Sequence, residues 1–501
     1  MNTKQKTLIY SCLGLTALQP QISQGAIMNK TQTANKPNIL FIFADDLSFE
    51  AIGAAGYLNI KTPNLNKLLH SSVHFTHAYN MGSWSPAICM ASRSMLNSGL
   101  TVNNCQESIK KHPIWPELLK SAGYKTYFTG KWHVPAVKPK FDIIRHVRKG
   151  MPKQTPEGYN RPKDEEEYKK GWKPWDKSKE GYWKGGTHWT EVVANDTLDY
   201  LKDASKNKSP FFMYIAFNAP HDPRQSPKKY IDMYPLKEVD LPKDYLPEYP
   251  FKDAMGCPAT LRDERLAPFP RTKYAIKINR QEYYAAITYM DEQIGRILKS
   301  LKDTGKEKNT YIIFTADQGL SIGHHGLMGK QNMFDPAIRV PLFISGPGIT
   351  AGTKIDAPIY LQDIMPTTLE LANTPIPKWV EFKSLLPILK GKKKSNYKNI
   401  YGKYLAYQRM VIKDDYKLIV YPQIRKYLLF NLKKDRSEMH NLANNPEYAS
   451  KLKELKQELI KEQKKYIDDL NIDAPYPPKQ NKIKLKKSQR NLKAGLEKQT
   501  I

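Results

Sequence analysis

Two clusters of acidic and amide side chains in this sequence are suited to holding a metal ion. Asp45 and Asp46 stand together after one apolar run, and Asp317 and Gln318 stand together after another. Adjacent carboxylates at the end of a buried strand repel each other unless a cation lies between them. Three carboxylates and one carboxamide form an all-oxygen set, which suits Ca²⁺ or Mg²⁺ better than zinc. The alternative interpretation is that these acids are independent helix N-caps.

Side chains suited to nucleophilic attack, proton transfer and anion binding occur in further short motifs. The segment CMASR at residues 89–93 places a cysteine four residues before an arginine. The alternative interpretation of this segment is a buried thiol with no chemical role, and isolated lysines are usually solvated. The other side chains of this kind are Lys131 and His133 in GKWH, His221 after Ala219-Pro220, and His325 and Lys330 in GHHGLMGK.

Three continuous apolar runs, at 38–44, 211–218 and 311–316, predict the strands that position these motifs. Continuous rather than alternating runs indicate strands buried on both faces, as in a parallel sheet between two layers of helices. Ligands bind beyond the carboxyl ends of such strands, so the polar clusters are expected to form one site. Helical spacing of apolar residues predicts helices over 63–69, 115–122 and 282–301.

The rest of the chain divides into excursions and a smaller unit. Stretches 135–186 and 223–273 are rich in Pro and Lys and are interpreted as long excursions over the sheet edge. After the basic linker 390–394, alternating strands are predicted over 400–407, 409–412 and 416–421, followed by an amphipathic helix over 447–470. The predicted organisation is a catalytic domain at 36–392, an antiparallel sheet with a helix at 396–476, and a basic tail at 477–501.

The amino terminus predicts export. Lys4 and Lys6 precede an apolar run at 8–18 and then small residues, which is the order of a secretory signal peptide over 1–26. No later stretch approaches about 20 apolar residues, so an integral membrane segment is not expected. The mature protein would be periplasmic or secreted. Its three remaining cysteines allow either a Cys105–Cys257 bridge or three buried free thiols.

Charge and aromatic content narrow the class of partner. Lysine and arginine exceed aspartate and glutamate by 79 − 49 = 30, a balance that attracts acidic polymers. No RNA-recognition or zinc-finger pattern is present, so nucleic acid is not expected as a partner. Residues 172–189 mix five tryptophans and tyrosines with lysines, near Arg161 and Lys163. These aromatic rings either stack on sugars beside anion-binding cations or pack the inside of a long loop.

In this order the motifs resemble the formylglycine-dependent type I sulfatase family of the alkaline phosphatase superfamily, including its bacterial polysaccharide sulfatases. The resemblance spans about residues 36–466. CMASRSMLNSG is similar to the family signature, with Ala91 where proline is commoner. Gln318 stands where asparagine or histidine is usual, and Asp335 where glutamate is frequent. The other matching segments are NILFIFADD (38–46), GKWH (130–133), APH (219–221), DQGLSIGHHGLMGK (317–330) and LFNLKKDRSEMHNL (429–442).

The resemblance implies the fold, the cofactors and the site. It implies a large mixed, mostly parallel sheet sandwiched by helices, with a smaller C-terminal α+β subdomain. Cys89 would be oxidised to formylglycine by a formylglycine-generating or sulfatase-maturing enzyme, and its hydrated aldehyde would be the nucleophile. The implied residue roles are ligation of one Ca²⁺ by Asp45, Asp46, Asp317, Gln318 and residue 89, activation of the nucleophile by Arg93 and Lys131, base catalysis by His133, and substrate binding by His221, Lys330 and His325.

The implied activity is hydrolysis of sulfate monoesters. Export, charge and aromatic content fit a sulfated oligo- or polysaccharide as substrate. The resemblance further implies algal polymers such as ulvan or carrageenan ahead of host glycosaminoglycans. Two alternatives remain at this stage. The superfamily also includes phosphomonoester and phosphonate hydrolases, and a chain with unmodified Cys89 would be a non-catalytic polyanion-binding protein.

Overall fold

The structure, a computed structural model, describes residues 36–148, 150, 159, 161–179 and 181–473. The signal peptide predicted for 1–26 and the basic tail predicted for 477–501 lie outside the described residues. Within these ranges, no helix is both long enough and apolar enough to cross a membrane.

The strands fall into one large sheet, one smaller sheet and a short hairpin. In chain order they are β1 (Asn38–Asp45), β2 (Val73–Tyr79), β3 (Gly82–Ser83), β4 (Lys125–Lys131), β5 (Ile143–Arg148), β6 (Trp183–Lys184), β7 (Thr187–His188), β8 (Phe211–Pro220), β9 (Thr310–Ala316), β10 (Arg339–Ser345), β11 (Lys354–Ile355), β12 (Ile359–Tyr360), β13 (Ile400–Tyr404), β14 (Gln408–Lys413), β15 (Tyr416–Tyr421) and β16 (Lys426–Asn431).

The helices surround the large sheet, and one packs on the smaller sheet. In chain order they are α1 (Pro63–His70), α2 (Ile88–Ser98), α3 (Val102–Ser108), α4 (Trp115–Ser121), α5 (Glu165–Lys169), α6 (Trp189–Ser205), α7 (Lys228–Ile231), α8 (Lys273–Asp303), α9 (Asp335–Ile338), α10 (Ile364–Leu371), α11 (Leu386–Leu389) and α12 (Ala449–Lys465).

The large sheet is mixed and mostly parallel, as predicted. Its strand order is β11-β2-β10-β9-β1-β8-β4-β5, with β12 also paired to β2. Strands β9, β1, β8, β4 and β5 are parallel neighbours, whereas β10 runs antiparallel to both β9 and β2. Every residue of β1, β8 and β9 is buried, which explains why these strands have continuous apolar sequences.

Helices cover both faces of this sheet. Trp115 of α4 packs edge-on against Phe41 of β1, while Tyr200 of α6 packs against Tyr127 of β4. Phe41 is in register with Tyr214 of β8, whereas Tyr127 is in register with Met213. Because neighbouring residues of a strand point to opposite faces of the sheet, the two helices lie on opposite faces. The helix predicted over 282–301 begins earlier than expected, at Lys273, because Thr272 caps its N-terminus through the Ala275 amide.

The smaller sheet follows the order β16-β15-β14-β13-β3. The sequence predicted β13, β14 and β15 but not β16, whose residues had been interpreted as part of a family motif. It also did not predict that β3, at Gly82–Ser83, would pair in parallel with β13. The smaller sheet therefore takes its edge strand from the segment just before the cysteine motif. The domain boundary near 392–396 stays a prediction.

A buried ion triad joins the smaller sheet to the segment that follows the site. The Nζ of Lys417 in β15 lies 2.5 Å from Asp335 Oδ1 and 2.7 Å from Glu438 Oε1. All three side chains are buried, and burial raises the pKa of Glu438 to about 7. A charged triad of this kind is stable because its lysine compensates two carboxylates that water cannot reach.

Lys417→Met leaves two buried carboxylates without their cation. We expect it to lower the free energy of unfolding by about 3–5 kcal/mol, as for other buried ion pairs that lose one partner. Urea denaturation of the full chain measures the loss. Lys413→Met in β14 is the matched control: the Lys413 side chain is 25% exposed and pairs with Glu454, so about 1 kcal/mol or less is expected. Equal losses in the two variants would contradict this role of the triad.

Candidate active site

The ends of β1 and β9 bring the predicted acids together. The two strands are parallel neighbours in register from Asn38 with Thr310 to Ala44 with Ala316, so the residues that follow are also adjacent. The carboxylate oxygens of Asp45, Asp46 and Asp317 can all lie within 4.8 Å of one another. The Asp46 amide donates a 3.2 Å hydrogen bond to Asp317 Oδ1, and the Gln318 amide donates one of 3.0 Å to the same oxygen.

Two buried oxygens in this cluster accept no hydrogen bond from any residue in the described ranges. They are Asp45 Oδ1 and Gln318 Oε1, on residues that are completely buried. Buried polar atoms normally have partners, so these two oxygens beside two further carboxylates are available to ligate a cation. Burial first, and then the Asp317 charge, raises the pKa of Asp45; burial also raises the pKa of Asp46. The donor set consists of oxygens and fits a hard dication such as Ca²⁺.

Three basic side chains from other elements surround the acids. Lys131 at the end of β4 pairs with Asp45. Lys330 Nζ lies 2.7 Å from both carboxylate oxygens of Asp46. Arg93 Nε donates to Asp317 Oδ2 over 2.8 Å. Three cations therefore face the three acids, and a bound dication would make the whole cluster cationic, as an anionic substrate requires.

The cysteine of the CMASR motif lies at the edge of this cluster. Cys89 is the second residue of α2, so its side chain sits at the positive end of the helix. Its Sγ is 3.2 Å from His133 Nδ1 and 3.5 Å from Lys131 Nζ. Burial works against the thiolate, but the charges of Lys131 and His133 outweigh it and hold the pKa of Cys89 well below its usual value.

Arg93 is placed by the same helix and lies beneath the cluster. Its Nη1 donates a 2.7 Å hydrogen bond to the Lys131 carbonyl oxygen, and its guanidinium lies over the Phe43 ring. These contacts connect α2, β1, β4 and β9 around one side chain. Arg93 thus holds Asp317 and the Lys131 backbone in position; its hydrogen bonds do not include Cys89, the residue that it was expected to activate.

His221 reaches the cluster from the end of β8. Pro220 is in register with Asp45, which places His221 beside the acids. His221 Nε2 is 2.9 Å from Lys330 Nζ and 3.5 Å from Asp46 Oδ2. Burial disfavours the charged imidazole, yet the Asp222 and Asp46 carboxylates raise the pKa of His221 to about 10.

The sequence reasoning missed two residues that hold His221. Asp222 Oδ1 lies 3.1 Å from His221 Nδ1, and Arg262 pairs with the other oxygen of Asp222. An acid directly after the histidine was a visible signal. Arg262 gave none, because it lies 40 residues away in the second excursion.

Backbone conformation at the site is unusual at two positions. Asp46 has φ 66° and His133 has φ 48°, both in the left-handed region that side-chain-bearing residues seldom adopt. Gly130, with φ 98°, precedes Lys131, and a Cβ there would collide with the carbonyl oxygen of Ala216. The glycine of GKWH thus lets β4 approach β8 closely enough to bring Lys131 to Asp45.

His325 lies outside the cluster. Its Nε2 is 3.0 Å from Asp244, and its ring stacks on Phe334 with centroids 3.9 Å apart. Its neighbour His324 pairs with both Asp244 and Glu50. These contacts fix the loop after β9, so the expected placement of His325 in the substrate pocket is not supported.

The other two cysteines are free and buried. Cys105 Sγ lies 3.4 Å from Ser98 Oγ, whereas Cys257 Sγ donates to the Gln331 carbonyl oxygen over 3.2 Å. The Cys105–Cys257 bridge considered from the sequence is therefore not formed, and the alternative of three buried thiols is confirmed.

Comparison with known proteins identifies the family of this chain. The family model described as Sulfatase matches residues 37–374, and that described as N-sulphoglucosamine sulphohydrolase, C-terminal, matches 323–465. The chain belongs to the sulfatase family.

This sulfatase is 31% identical over 494 residues to a sulfatase of Formosa agariphila, covering 90% of this chain and 91% of that protein. It is 29% identical to an arylsulfatase of Clostridium perfringens, covering 88% and 98% of the two chains. The protein is a sulfuric ester hydrolase.

Solved structures show that the fold is shared more widely. One neighbour, a complex with its substrate D-glucosamine-2-N,6-O-disulfate, has a TM-score of 0.68 and 23% identity, covering 88% of this chain and 100% of that chain. A phosphonate monoester hydrolase from Silicibacter pomeroyi has a TM-score of 0.69 and 21% identity, covering 87% and 96%. At these identities the likeness shows the alkaline phosphatase-like fold alone.

The His324 cluster gives this sulfatase a pH-dependent stability. Burial disfavours the charged ring, but Glu50 and Asp244 raise the pKa of His324 to about 9. Because the folded pKa exceeds the unfolded value, this stabilisation is fully present below about pH 6.5 and is lost as the pH rises through 9. We expect His324→Gln to reduce the stability difference between pH 6.5 and pH 9.5 by about 3 kcal/mol, the linkage value of the shift.

Urea denaturation at the two pH values measures this difference. His440→Gln is the matched control, because the His440 side chain is 77% exposed. A His324→Gln protein with the same pH dependence as the control would show that the cluster does not stabilise the fold through its charge.

Proposed function

We propose that this protein is an exported sulfatase that hydrolyses sulfate esters on a sulfated carbohydrate, with formylglycine at residue 89 and Ca²⁺ as cofactors. The observation that carries the proposal is the meeting of Cys89, three carboxylates and three basic side chains at the ends of β1, β4, β8 and β9. Sulfate esters are anionic, so a site that attacks them needs excess positive charge. The cluster acquires that excess when a dication joins it.

Formylglycine is proposed because the motif, its helix and its neighbours suit it. The oxidation turns the Cys89 Cβ into an aldehyde and removes the sulfur; a separate maturing enzyme and its oxidant would carry it out. Once formed, the group supplies a hydrated aldehyde, with one hydroxyl to attack sulfur and a second to release the sulfate. Cys89 lies at the N-terminus of α2, where a helix favours negative charge.

The chain's own residues have separable roles in this scheme. His133, 3.2 Å from Cys89 Sγ, is placed to accept a proton at residue 89. Lys131 contacts both residue 89 and Asp45, and its positive charge stabilises a negative charge on residue 89. His221 and Lys330 contact each other and Asp46, so either can bind a sulfuryl oxygen or protonate the departing alcohol. Arg93 fixes Asp317.

Calcium is proposed as the resident cation. Asp45, Asp46, Asp317 and Gln318 would hold it, and the two orphaned oxygens of this set are the supporting observation. When bound, the ion acts as a Lewis acid and as a template for the sulfate. The Gln318 amide nitrogen bonds to Asp46; rotation of its amide would present Oε1 to the ion on a longer arm than asparagine offers.

The carbohydrate and export parts rest on relatives and composition. An ulvan-active sulfatase of Formosa agariphila is 30% identical over 375 residues, covering 71% of this chain and 65% of that protein. An N-acetylglucosamine-6-O-sulfatase of Bacteroides thetaiotaomicron is 26% identical, covering 94% and 92%. Together with the basic charge of +30, these relatives favour a sulfated oligo- or polysaccharide substrate, such as ulvan or carrageenan.

Modification of Cys89 is the first test. Mass spectrometry of the Cys89 peptide, from protein expressed with a maturing enzyme, is expected to show a loss of about 18 Da from replacement of the thiol by an aldehyde. Cys89→Ala is expected to abolish turnover of 4-nitrophenyl sulfate while leaving thermal unfolding within a few degrees of wild type. Cys105→Ala is the matched control and should retain turnover. An unmodified Cys89 in active protein would refute the proposed nucleophile.

Calcium binding is tested without reference to turnover. Protein treated with EDTA should unfold at a lower temperature, and Ca²⁺ should restore the midpoint, because the ion relieves repulsion among three buried carboxylates. We expect Gln318→Leu to raise the Ca²⁺ concentration that restores the unfolding midpoint by at least about tenfold. Gln293→Leu, at a buried glutamine of α8, is the matched control. A midpoint indifferent to EDTA and Ca²⁺ would count against a resident cation.

Parallel assays separate sulfatase from phosphatase activity. We expect kcat/KM for 4-nitrophenyl sulfate to exceed that for 4-nitrophenyl phosphate by about 100-fold or more, because a second negative charge on the ester must be matched by further cations in a site of fixed charge. Lys330→Met should lower both values. Preference for the phosphate would support the phosphomonoester alternative.

A further inference from the structure

A separate cavity of about 650 Å³ lies in the excursions that the sequence analysis singled out. It is lined by residues of the first excursion, such as Arg161, Lys170 and Trp172, and by Arg265 of the second. None of these residues belongs to the catalytic cluster described above. The cavity is therefore a feature that the proposed catalytic chemistry leaves unexplained.

The wall of the cavity contacts the residue that follows Asp222 in the chain. Arg161, in its wall, donates from Nη2 to the Pro223 carbonyl oxygen. Pro223 follows Asp222, which holds the imidazole of His221. Tyr159, also in the wall, lies beside the same acid: burial and the Asp222 charge raise the pKa of Tyr159. The cavity wall therefore contacts the same short segment that holds His221.

The lining carries a strong positive charge. Among the residues that the structure describes, five cations and one carboxylate line the cavity, and Glu282 pairs with Arg161 behind them, which leaves an excess of three positive charges. The charged lining residues are Arg161, Lys163, Lys170, Lys179, Arg265 and Glu167.

One of these cations has unused hydrogen-bonding capacity although it is buried. Arg161 is 5% exposed, and its Nε pairs with Glu282 over 2.5 Å, yet its Nη1 has no hydrogen-bond partner among the residues that the structure describes. A buried donor without a partner is costly, so it is expected to meet an acceptor in the working protein. Lys170 and Arg265 are exposed and form no ion pair with any residue in the described ranges.

The tryptophans of the first excursion hold cations in place. Lys179 Nζ lies 3.9 Å from the centre of the Trp172 ring, and the Arg161 guanidinium lies 5.6 Å from it. Lys177 covers Trp183 and Lys228 covers Trp175 in the same way. Each of these rings therefore has a cation over it, and these contacts reduce the entropy that the lysine and arginine side chains lose on binding an anion.

We propose that this cavity is a second anion-binding subsite, which holds a sulfate ester or carboxylate on the sugar next to the one being desulfated. The inference rests on the proposed carbohydrate function and specifies its substrate as one carrying at least two anionic groups. Several cations around a buried donor with an open hydrogen-bonding position match an anionic substituent, and a wall that contacts Pro223 and Asp222 suits a group on the sugar next to one bound at His221.

The test compares two kinds of substrate in the same enzyme. The double variant Lys170→Gln/Arg265→Gln removes two exposed charges of the lining. Its kcat/KM is measured for 4-methylumbelliferyl sulfate, which has no second anion, and for sulfated oligosaccharides. The ratio of the oligosaccharide value to the aryl sulfate value is expected to fall severalfold, and by up to about 25-fold, because each exposed charge contact contributes up to about fivefold. The fall should appear in KM and should shrink in high salt.

Two oligosaccharide arms distinguish the sources of the anion. Carrageenan oligosaccharides offer a neighbouring sulfate, and ulvan oligosaccharides a neighbouring carboxylate; a fall in either arm supports the subsite and identifies its ligand. Lys208→Gln, at an exposed lysine on the loop before β8, is the matched control and should keep the wild-type ratio. An unchanged ratio in both arms, or an equal loss with the aryl sulfate, overturns the subsite. Wild-type enzyme that cleaves the aryl sulfate but neither oligosaccharide instead refutes the carbohydrate function itself.

Discussion

Repulsion among Asp45, Asp46 and Asp317 is the constraint on which the rest of this structure depends. Parallel strands β1 and β9 bring the three carboxylates together in a place that water does not reach. The fold compensates them with three basic side chains that come from α2, the end of β4 and the loop after β9. Each cation is held by one acid, so the elements around the sheet are tied together through the site.

The same arrangement explains how a single site can serve both folding and chemistry. With basic side chains alone the acids are balanced, and with a dication the balance becomes positive. The positive charge is then in position before an anionic ester binds, and charge that is positioned in advance stabilises a charged transition state. Arg93 illustrates the division of labour, because its contacts hold Asp317 and the Lys131 backbone in position for other side chains to act.

Much of the fold and most of the catalytic cluster were predictable from the sequence. Buried parallel strands have continuous apolar runs, and polar residues directly after them must meet at one edge, so Asp45, Asp317 and His221 could be grouped in advance. Contacts between distant segments carry no such signal. The Asp222–Arg262 pair and the pairing of β3 with β13 depend on how excursions fold back. The contacts of His325 with Asp244 and Phe334 carried no such signal either, because a motif fixes position along the chain and not the direction of a side chain.

The pairing of Gly82–Ser83 with β13 has a consequence for how this protein can vary. The segment that leads into the cysteine helix is hydrogen-bonded to a strand more than 300 residues later in the chain. The C-terminal sheet is thus no detachable module: shortening the chain before residue 400, or exchanging that part with a relative, would leave the approach to Cys89 without its neighbour. The carboxyl-terminal strands are thus coupled to the nucleophile segment, and a change in one has to be compatible with the other.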